Sequence, residues 1–548
     1  MSSPHGNLTG LKPNQLRRLE YVYRRRVPED AIISWELARF CTGLSHEIGR
    51  QIGVLINRRG VVVDVIVGND REVVLPDLSG YRLGRRSLRG IRLVHTHLRD
   101  EPLSQDDLTD LALLRLDLMA AVGVNDDGQP GRLYAANILP PNHAGKPYAV
   151  WTPVALQECD VRLGEFLRAL DEELSQTRPA HVVRDDQEQA ILVSVSRESL
   201  ADQEESLVEL AELSRSAGLA VLDRVVQRPQ AIHAKYRLGS GKLKEVVIKA
   251  LQHGVDFLVF DQDLTPAQAT AIAEVTELKV IDRTQLILDI FSRRAHSREG
   301  KIQVELAQLR YLLPRLTGKG TAMSRLAGGI GGRGPGETKL EVDRRRVRDR
   351  ITHLEKQIEA LARNRAQQRA RRLRRDVPII SIVGYTNAGK STLLNVLTCS
   401  RVTAHDRLFD TLDTASRRLR FPAEREAIVT DTVGFLRNLP EELMGAFRAT
   451  LEELHDADLL LHVADISSPT LERQVVVVEG ILRELGLDRV PRVLALNKAD
   501  RVDPAQAAIL SARLGGAAVS AMQPETLMPL LEAVEKRLWS LTKTGLPC

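Results

Sequence analysis

Residues 384 to 391 read GYTNAGKS, and they directly follow an apolar run, Pro378 to Val383, that is typical of a buried strand. The spacing GxxxxGKS lets successive backbone N–H groups curl around phosphate oxygens, and the helix that follows adds a favourable dipole. In such a loop Lys390 reaches the β and γ phosphates, and Ser391 offers its hydroxyl to Mg²⁺. The stretch therefore predicts a phosphate-binding loop on a mostly parallel α/β sheet.

Two more polar motifs follow predicted strands in the same third of the chain. Asp431 to Gly434 (DTVG) offers an acidic partner for Mg²⁺ and a glycine N–H that can sense the γ-phosphate. Asn497 to Asp500 (NKAD) reads guanine, because the Asp500 carboxylate accepts from an N1–H and a 2-amino group that adenine does not present. Strand ends meet at one edge of such a sheet, so the motifs predict a single site for GTP or GDP with Mg²⁺. The predicted strands are Ala427 to Thr430, Leu459 to Ala464 and Val493 to Leu496.

The switch region is predicted from one threonine and one missing glutamine. Thr411 is the candidate for the mobile threonine that completes Mg²⁺ coordination when the γ-phosphate is present, and Thr414 is the alternative. Phe435 stands where many GTPases carry the glutamine that orients the attacking water. Because phenylalanine cannot orient water, hydrolysis must use another group, a cation or a partner. We therefore expect slow intrinsic turnover.

The predicted site also includes a short loop after the run Gly515 to Val519, which fits a segment that packs on the base. Catalytic roles are assigned to Lys390, Thr411 and Gly434, and Mg²⁺ ligation to Ser391 and Thr411. The residues expected to contact the nucleotide are Gly384, Tyr385, Thr386, Asn387, Ala388, Gly389, Lys390, Ser391, Thr392, Phe409, Asp410, Thr411, Leu412, Asp413, Asp431, Thr432, Val433, Gly434, Asn497, Lys498, Ala499, Asp500, Ser520, Ala521 and Met522.

Composition places the chain among ordinary globular proteins, with 43% apolar and 27% charged residues. At about one domain per 150 residues, its length suggests three or four domains. No apolar stretch reaches the roughly eighteen residues of a membrane span, and Met1 to Gly10 lacks the apolar segment of a signal peptide. We therefore expect a soluble cytoplasmic protein. Its four cysteines show no CxxC pairing, so neither a disulfide framework nor a zinc ribbon is indicated.

Two helices are predicted before the nucleotide-binding region. One spans Lys301 to Leu316, and a second carries an apolar seam with spacings of four and three. A glycine-rich stretch, residues 328 to 337, lies between them, which predicts two antiparallel helices joined by a glycine-rich tip. The seam residues are Val347, Ile351, Leu354, Ile358 and Leu361.

Arginines crowd residues 344 to 375, although the formal net charge of the whole chain is only +5. Such a stripe is a candidate polyanion-binding surface, and a solvated charged helix is the alternative. The arginines are Arg344, Arg345, Arg346, Arg348, Arg350, Arg363, Arg365, Arg369, Arg371, Arg372, Arg374 and Arg375.

Two further regions precede these helices, separated by a polar linker around Ser175 to Gln187. In the second of them Gly239 to Lys242 (GSGK) resembles half a phosphate loop but lacks the preceding glycine, so we expect a tight turn. The strands predicted for residues 188 to 300 are Ala190 to Val195, Ala220 to Val226, Phe257 to Asp261 and Lys279 to Ile281. Those predicted for residues 1 to 180 include Ile52 to Ile56, Val61 to Val67 and Ile91 to His95.

The motifs together resemble the HflX family of translational GTPases over about residues 188 to 540. The resemblance rests on GYTNAGKS, FDTLD (409 to 413), DTVGF (431 to 435), GGIGGRGPGE (328 to 337) and SREGKIQVELAQLRYLLPRL (297 to 316). It implies binding to the rRNA of the large ribosomal subunit and separation of stalled ribosomes under heat or antibiotic stress. It also matches Asn387 to an asparagine that in related GTPases helps to hold K⁺ near the phosphates, a substitute for the missing glutamine.

The first 180 residues exceed this resemblance. In the run IRLVHTHLRDEPLSQDD (91 to 107), His95 and His97 lie two apart at a strand end, so both rings point to one face. With Ser104 and Asp107 they resemble a JAMM-type metalloprotease, in which His95, His97 and Asp107 would hold Zn²⁺ and Glu47 would act as general acid/base. The loop before Ser104 is one residue shorter than the pattern. A JAMM-like fold kept as a binding module is the alternative.

The predicted architecture is α/β multidomain: residues 1–180 an N-terminal α+β extension, 188–300 an α/β domain, 301–375 a helical hairpin and 376–540 a P-loop G domain. The leading function is a ribosome-splitting GTPase, expected to be monomeric. A zinc hydrolase regulated by a GTPase domain and a GTP-gated RNA-processing scaffold are the alternatives.

Overall fold

The structure is a computed structural model of the whole chain. It describes all residues except 1–2, 77, 79–80, 82–87, 143–145, 177–186, 277, 296, 317–336, 373–376, 399–415, 422–423, 432–433, 436–451 and 543–548. Within that part of the chain, no helix has both the length and the hydropathy needed to cross a bilayer. The chain divides into two compact units. One comprises Met1–Ile191, Pro229–Leu258 and Ala271–Lys279, and the other comprises Leu192–Arg228, Val259–Thr270 and Val280–Cys548.

The first unit is built on a mixed sheet with strand order β1-β3-β2-β4-β5-β6-β7, and β8 pairs with β6. The pairs β1/β3 and β4/β5 are parallel, and the other described pairs are antiparallel. The strands are β1 (His5–Gly6), β2 (Ile52–Asn57), β3 (Val62–Val67), β4 (Ile91–His97), β5 (Met119–Val124), β6 (Pro130–Ile138), β7 (Tyr148–Val150) and β8 (Val154–Ala155). The helices are α1 (Pro13–Val22), α2 (Trp35–Ile48), α3 (Gln105–Leu114) and α4 (Leu163–Gln176).

Local side-chain caps determine where α2 and α3 begin. The Ser34 side chain accepts from the Leu37 N–H at the start of α2, and Ser104 caps α3 in a capping box with Asp107. Helix α2 packs on one face of the sheet, where Ser45 Oγ lies 2.8 Å from Thr96 Oγ1 of β4. Because side chains alternate along a strand, the neighbours of Thr96 point to the opposite face.

A four-stranded sheet of order β10-β9-β11-β12 comes from residues 189 to 282. Its strands are β9 (Gln189–Val195), β10 (Ala220–Gln227), β11 (Phe257–Phe260) and β12 (Lys279–Asp282), and the helices of this region are α5 (Leu200–Ser216), α6 (Ser240–His253), α7 (Pro266–Val275) and α8 (Arg283–Arg294). The prediction of a tight turn at Gly239 to Lys242 is wrong. Gly239 is extended and caps α6, and its carbonyl accepts the first helical hydrogen bond from Leu243 N–H, so Ser240 to Lys242 form the first turn of a helix.

Helices α9 (Arg298–Leu312) and α10 (Glu337–Arg372) pack together through the predicted apolar seam. Leu354 is fully buried and lies in one cluster with Ile302 and Leu306. The antiparallel arrangement is contradicted. Ion pairs join Glu305 to Arg350 and Arg310 to Glu355, each at 2.7 Å, and both advance five residues along each helix, so the helices run in the same direction here. An apolar seam predicts that a helix has a partner but not the direction of that partner.

Among the described residues, the nucleotide-binding region forms a six-stranded sheet of order β14-β15-β13-β16-β17-β18, in which only the β14/β15 pair is antiparallel. The predicted strands are confirmed within one residue at each end. The strands are β13 (Ile379–Gly384), β14 (Ser416–Arg420), β15 (Glu426–Asp431), β16 (Leu459–Asp465), β17 (Arg492–Asn497) and β18 (Ala517–Ala518), and the described helices are α11 (Lys390–Leu397), α12 (Leu471–Glu484), α13 (Pro504–Leu514) and α14 (Met528–Thr542).

Candidate nucleotide-binding site

The predicted phosphate loop connects β13 to α11, and its two glycines are required by close contacts. A Cβ on Gly384 would lie 2.1 Å from the Val463 carbonyl oxygen of β16. One on Gly389, where φ is +88°, would lie 2.3 Å from the Asn497 side-chain nitrogen. Asn387 also adopts a left-handed backbone, with φ of 62°. The loop thus curls tightly at the carboxyl end of the sheet, as phosphate binding requires.

Lys390 is buried at the start of α11, and its Nζ donates to the Tyr385 carbonyl at 2.9 Å. Burial lowers the pKa of Lys390 to about 8, and the nearby Asp431 carboxylate only partly offsets this. Gly434 lies directly against the ammonium group, since a Cβ there would lie 2.8 Å from Lys390 Nζ. The cation and the DxxG glycine therefore meet at the same point, as γ-phosphate sensing requires.

Ser391 and Asp431 lie together at the adjacent strand end. The Ser391 hydroxyl donates to Asp431 Oδ2 at 2.7 Å, and Asp431 is buried. A hydroxyl and a carboxylate are the hard oxygen donors that Mg²⁺ prefers, directly or through water. The residues present therefore fit a Mg²⁺ ion, with Ser391 holding it and Asp431 beside it.

The NKAD segment is tied to its surroundings by Asn497, Lys498 and Asp500. Asn497 Nδ2 donates to the Ala388 carbonyl at 2.9 Å, and Asn497 Oδ1 accepts from the Ala521 N–H at 3.0 Å. Lys498 pairs with Asp465 at 2.8 Å, and Asp500 accepts from the Ser520 hydroxyl. The structure thus brings the base-reading segment, the phosphate loop and the loop after β18 together.

Phe435 is part of the core beneath the phosphate loop. It is buried, its carbonyl accepts from the Thr386 N–H at 2.8 Å, and its N–H donates to the Gly384 carbonyl at 3.1 Å. The Thr386 hydroxyl is buried and finds no hydrogen-bond partner among the described residues, although a ligand phosphate could accept from it. An aromatic ring packed this way cannot orient a water molecule.

Some predicted residues lie outside the described part of the chain: Phe409, Asp410, Thr411, Leu412, Asp413, Thr414, Thr432 and Val433. Thr392 is half-buried on α11, Ala499 is half-buried beside Lys498, and Met522 is 76% exposed after the loop at Ser520. None of these three has a contact that assigns it a role.

Three family models match consecutive parts of the chain. A GTP-binding GTPase N-terminal region matches residues 204–292, a GTP-binding GTPase middle region matches 294–372, and a 50S ribosome-binding GTPase matches 379–498. A GTPase HflX from Caldanaerobacter subterraneus subsp. tengcongensis is 46% identical over 358 residues, which cover 65% of this chain and 82% of that protein. The chain belongs to the HflX family of GTPases. It is therefore a GTP-binding and GTP-hydrolysing enzyme.

A second relative agrees with this assignment. The GTPase HflX of Escherichia coli is 45% identical over 316 residues, covering 58% of this chain and 74% of that protein. A GTP-binding protein from Sulfolobus solfataricus, solved in complex with GDP, covers 65% of this chain and 99% of its own at 25% identity, with a TM-score of 0.37.

The sequence did not point to two contacts of this HflX-family site. Asp465 ends β16 and pairs with Lys498, and its position at a strand end was the available signal. Tyr385, in contrast, donates to Glu209 of α5 at 2.5 Å, and no sequence pattern links residues so far apart. The Asp465 and Tyr385 side chains line a cavity of about 1080 Å³ between α5 and the loops after β13 and β16.

The HflX-family chain also carries a cluster of possible metal ligands in its first unit. His95 and His97 of β4 and Asp107 of α3 offer ligand atoms that all lie within 4.8 Å of one another. The two Nε2 atoms are 2.9 Å apart, and they lie 3.4 and 3.6 Å from the Asp107 carboxylate. The structure thus confirms that both rings point to one face and meet Asp107.

The hydrogen bonds around this cluster differ between the two histidines. His97 Nδ1 lies 3.0 Å from the Glu101 carbonyl, which leaves Nε2 free to act as a ligand, whereas His95 Nδ1 is buried without a partner in the described chain. Burial opposes ionisation of Asp107, but hydrogen bonds to His95 and His97 outweigh it and hold the pKa of Asp107 well below its ordinary value. Two imidazoles and a carboxylate suit Zn²⁺.

The assignment of Glu47 as general acid/base at this cluster is wrong. Its carboxylate accepts from Gln15 at 2.9 Å and pairs with Arg18, both on α1. Glu47 belongs to α2, which packs on the Thr96 face of the sheet, whereas His95 and His97 point to the other face.

Proposed function

We propose that this GTPase is a ribosome-associated factor that binds rRNA of the large subunit in its GTP-bound form and separates stalled ribosomes under stress. The observation that carries the proposal is a row of exposed arginines, Arg345, Arg346 and Arg348, on α10. They belong to the middle region of the family, and the following region matches a model described as a 50S ribosome-binding GTPase. Arginines along a helix suit rRNA phosphates, whose recognition depends on charge and shape.

We assign the steps of nucleotide recognition to the residues that meet at the sheet edge. Lys390 leaves the Tyr385 carbonyl and neutralises the β and γ phosphates, and Ser391 and Asp431 are the residues that would hold Mg²⁺. The Gly434 N–H senses the γ-phosphate, and the Asp500 carboxylate selects guanine. Thr411, or alternatively Thr414, is the residue that would add a further Mg²⁺ ligand in the GTP-bound form. We also propose that the chain has four domains: residues 1–180, 188–300, 301–375 and 376–540.

Since Phe435 cannot orient water, we propose that Asn387 holds a K⁺ ion that stabilises the charge developing on the phosphates. Its left-handed backbone and half-buried side chain at the top of the loop support this role. GTP turnover should be several-fold faster in KCl than in NaCl, and Asn387→Ala should abolish the difference. Equal rates in both salts would remove K⁺ from the proposal.

Cosedimentation with purified large subunits tests the ribosome proposal. The full chain should pellet with the large subunit in the presence of a non-hydrolysable GTP analogue and stay in the supernatant with GDP. Pelleting that does not depend on the nucleotide would contradict the proposal. If the chain binds the large subunit in this way but leaves intact ribosomes whole, a GTP-gated scaffold is favoured instead.

A second candidate activity rests on the His95, His97 and Asp107 cluster of the first unit. We propose that it binds Zn²⁺ within a JAMM-like fold, with His97 oriented by Glu101. Bound Zn²⁺ supplies Lewis acidity and an acidic water. Glu47 contacts α1 and not this cluster, so a hydrolase at this site would need another residue to transfer protons. A JAMM-like fold kept as a binding module therefore fits the described residues better.

A further inference from the structure

The phosphate loop of this GTPase is anchored to the preceding α/β region by a chain of polar contacts. Tyr385 donates its phenol hydrogen to Glu209 Oε1 of α5 at 2.5 Å. The other oxygen of the same carboxylate pairs with Arg283 Nη2 at 2.5 Å. Arg283 in turn pairs with Asp261 at 3.0 Å. One carboxylate thus connects the phosphate loop to a buried ion pair.

The residues of this chain of contacts are largely buried. Tyr385, Arg283 and Asp261 are 9%, 5% and 7% exposed. Burial alone would lower the pKa of Arg283, but the carboxylates of Glu209 and Asp261 outweigh it and raise that pKa, so the guanidinium stays charged. A buried charge of this kind holds its partners firmly, because separating them would leave it uncompensated. Glu209 is therefore a fixed acceptor for the Tyr385 hydroxyl.

A second connection between α5 and the nucleotide-binding region is a weaker candidate for such an anchor. Arg473 of α12 pairs with Asp202 at 2.9 Å and with Glu205 at 2.7 Å. The Arg473 side chain is 62% exposed, and solvent-exposed ion pairs contribute little. The buried Tyr385 contact is the one that reaches the phosphate loop itself.

The backbone of Tyr385 participates directly in the nucleotide site. Its carbonyl accepts from Lys390 Nζ at 2.9 Å, and a β-bridge joins it to Phe435 beneath the loop. We infer that Tyr385 is a positioning residue for nucleotide binding: its phenol, held by Glu209, keeps the phosphate loop in the curled form that receives GTP or GDP. Without that hydrogen bond, part of the binding free energy must be used to order the loop when a nucleotide binds.

Replacement of Tyr385 by phenylalanine removes the hydroxyl and leaves the ring. A hydrogen bond to a charged group is strong enough that its loss should weaken GDP and GTP binding about three- to tenfold, mainly through faster dissociation. The KM for GTP should rise by a larger factor than kcat falls, because the phenol supports binding and does not touch the reacting atoms. Stopped-flow dissociation of a fluorescent GDP from the full chain measures the effect.

Two further variants separate anchoring from general destabilisation. Tyr23→Phe removes another phenol bond to a carboxylate, that of Asp64 at 2.9 Å, in the first unit. It should lower the melting temperature while leaving GDP dissociation unchanged. Glu209→Gln combined with Tyr385→Phe should dissociate GDP no faster than the more affected of the two single variants, because both act through one contact. Unchanged dissociation in Tyr385→Phe, equal acceleration in Tyr23→Phe, or additive effects in the double variant would each overturn the inference.

Discussion

The side-chain amide of Asn497 joins the two halves of the nucleotide site. It donates to the Ala388 carbonyl of the phosphate loop at 2.9 Å and accepts from the Ala521 N–H at 3.0 Å. These two hydrogen bonds therefore set the position of the guanine-reading segment relative to the phosphate loop. A ligand must fit both ends at once, and this is the physical basis of selectivity for guanine nucleotides.

Asp500 should account for the choice of base. Asp500→Ala removes the acceptor for two guanine hydrogen bonds, so GDP affinity should fall by about 100-fold or more, while ATP binding stays weak. Asp503→Ala, which removes only the cap of α13, is the matched control and should leave GDP affinity unchanged. Calorimetry with GDP and ATP measures both. A loss below tenfold in Asp500→Ala would contradict the assigned role.

Lys390 should make nucleotide binding depend on pH. Its pKa in the free protein is about 8, and nearby phosphates raise the pKa in the complex. Below pH 8 both forms are protonated and the affinity is constant. Above pH 8 the free protein loses the proton and must regain it on binding, so the Kd for GDP should rise by up to about tenfold per pH unit. A flat Kd between about pH 7 and 9 would show that Lys390 is not the titrating contact.

The arginine row on α10 should contribute electrostatically to ribosome binding. Replacing Arg345, Arg346 and Arg348 with alanine should weaken binding to the large subunit and reduce the salt slope by about one per arginine. Arg350→Ala is the control, since Glu305 already neutralises this side chain through bonds of 2.7 and 2.9 Å. It should change the slope far less. Equal slopes for the triple variant and the unaltered chain would place the rRNA contact elsewhere.

The His95, His97 and Asp107 cluster should retain one zinc ion per chain when the protein is purified without chelators. His97→Ala should lose the metal, because it removes the ligand that Glu101 orients. His46→Ala, an exposed histidine of α2, should retain it. Elemental analysis of the three proteins, with melting temperatures before and after added Zn²⁺, decides between a metal site and a metal-free packing of histidines. Metal-free wild-type protein without a shift in melting temperature would exclude the site.

The sequence predicts most of the nucleotide site because each of its motifs lies at the end of one apolar strand. Gly384, Asp431 and Asn497 follow runs that can only be buried strands, and parallel pairing brings these strand ends together. The relation of α9 to α10 was not predictable, since an apolar seam does not encode direction. The role predicted for Glu47 was wrong for a similar reason, because position along the chain does not tell which face of a sheet a helix covers. The bond of Tyr385 to Glu209 depends on packing between distant segments, which no local pattern reports.

Sucrose-gradient analysis of intact ribosomes tests the proposed function most directly. Intact ribosomes incubated with the full chain and a non-hydrolysable GTP analogue should separate into subunits, and the chain should migrate with the large one. With GDP, or with Asp500→Ala, the ribosomes should stay whole. Intact ribosomes under every nucleotide condition would contradict the account.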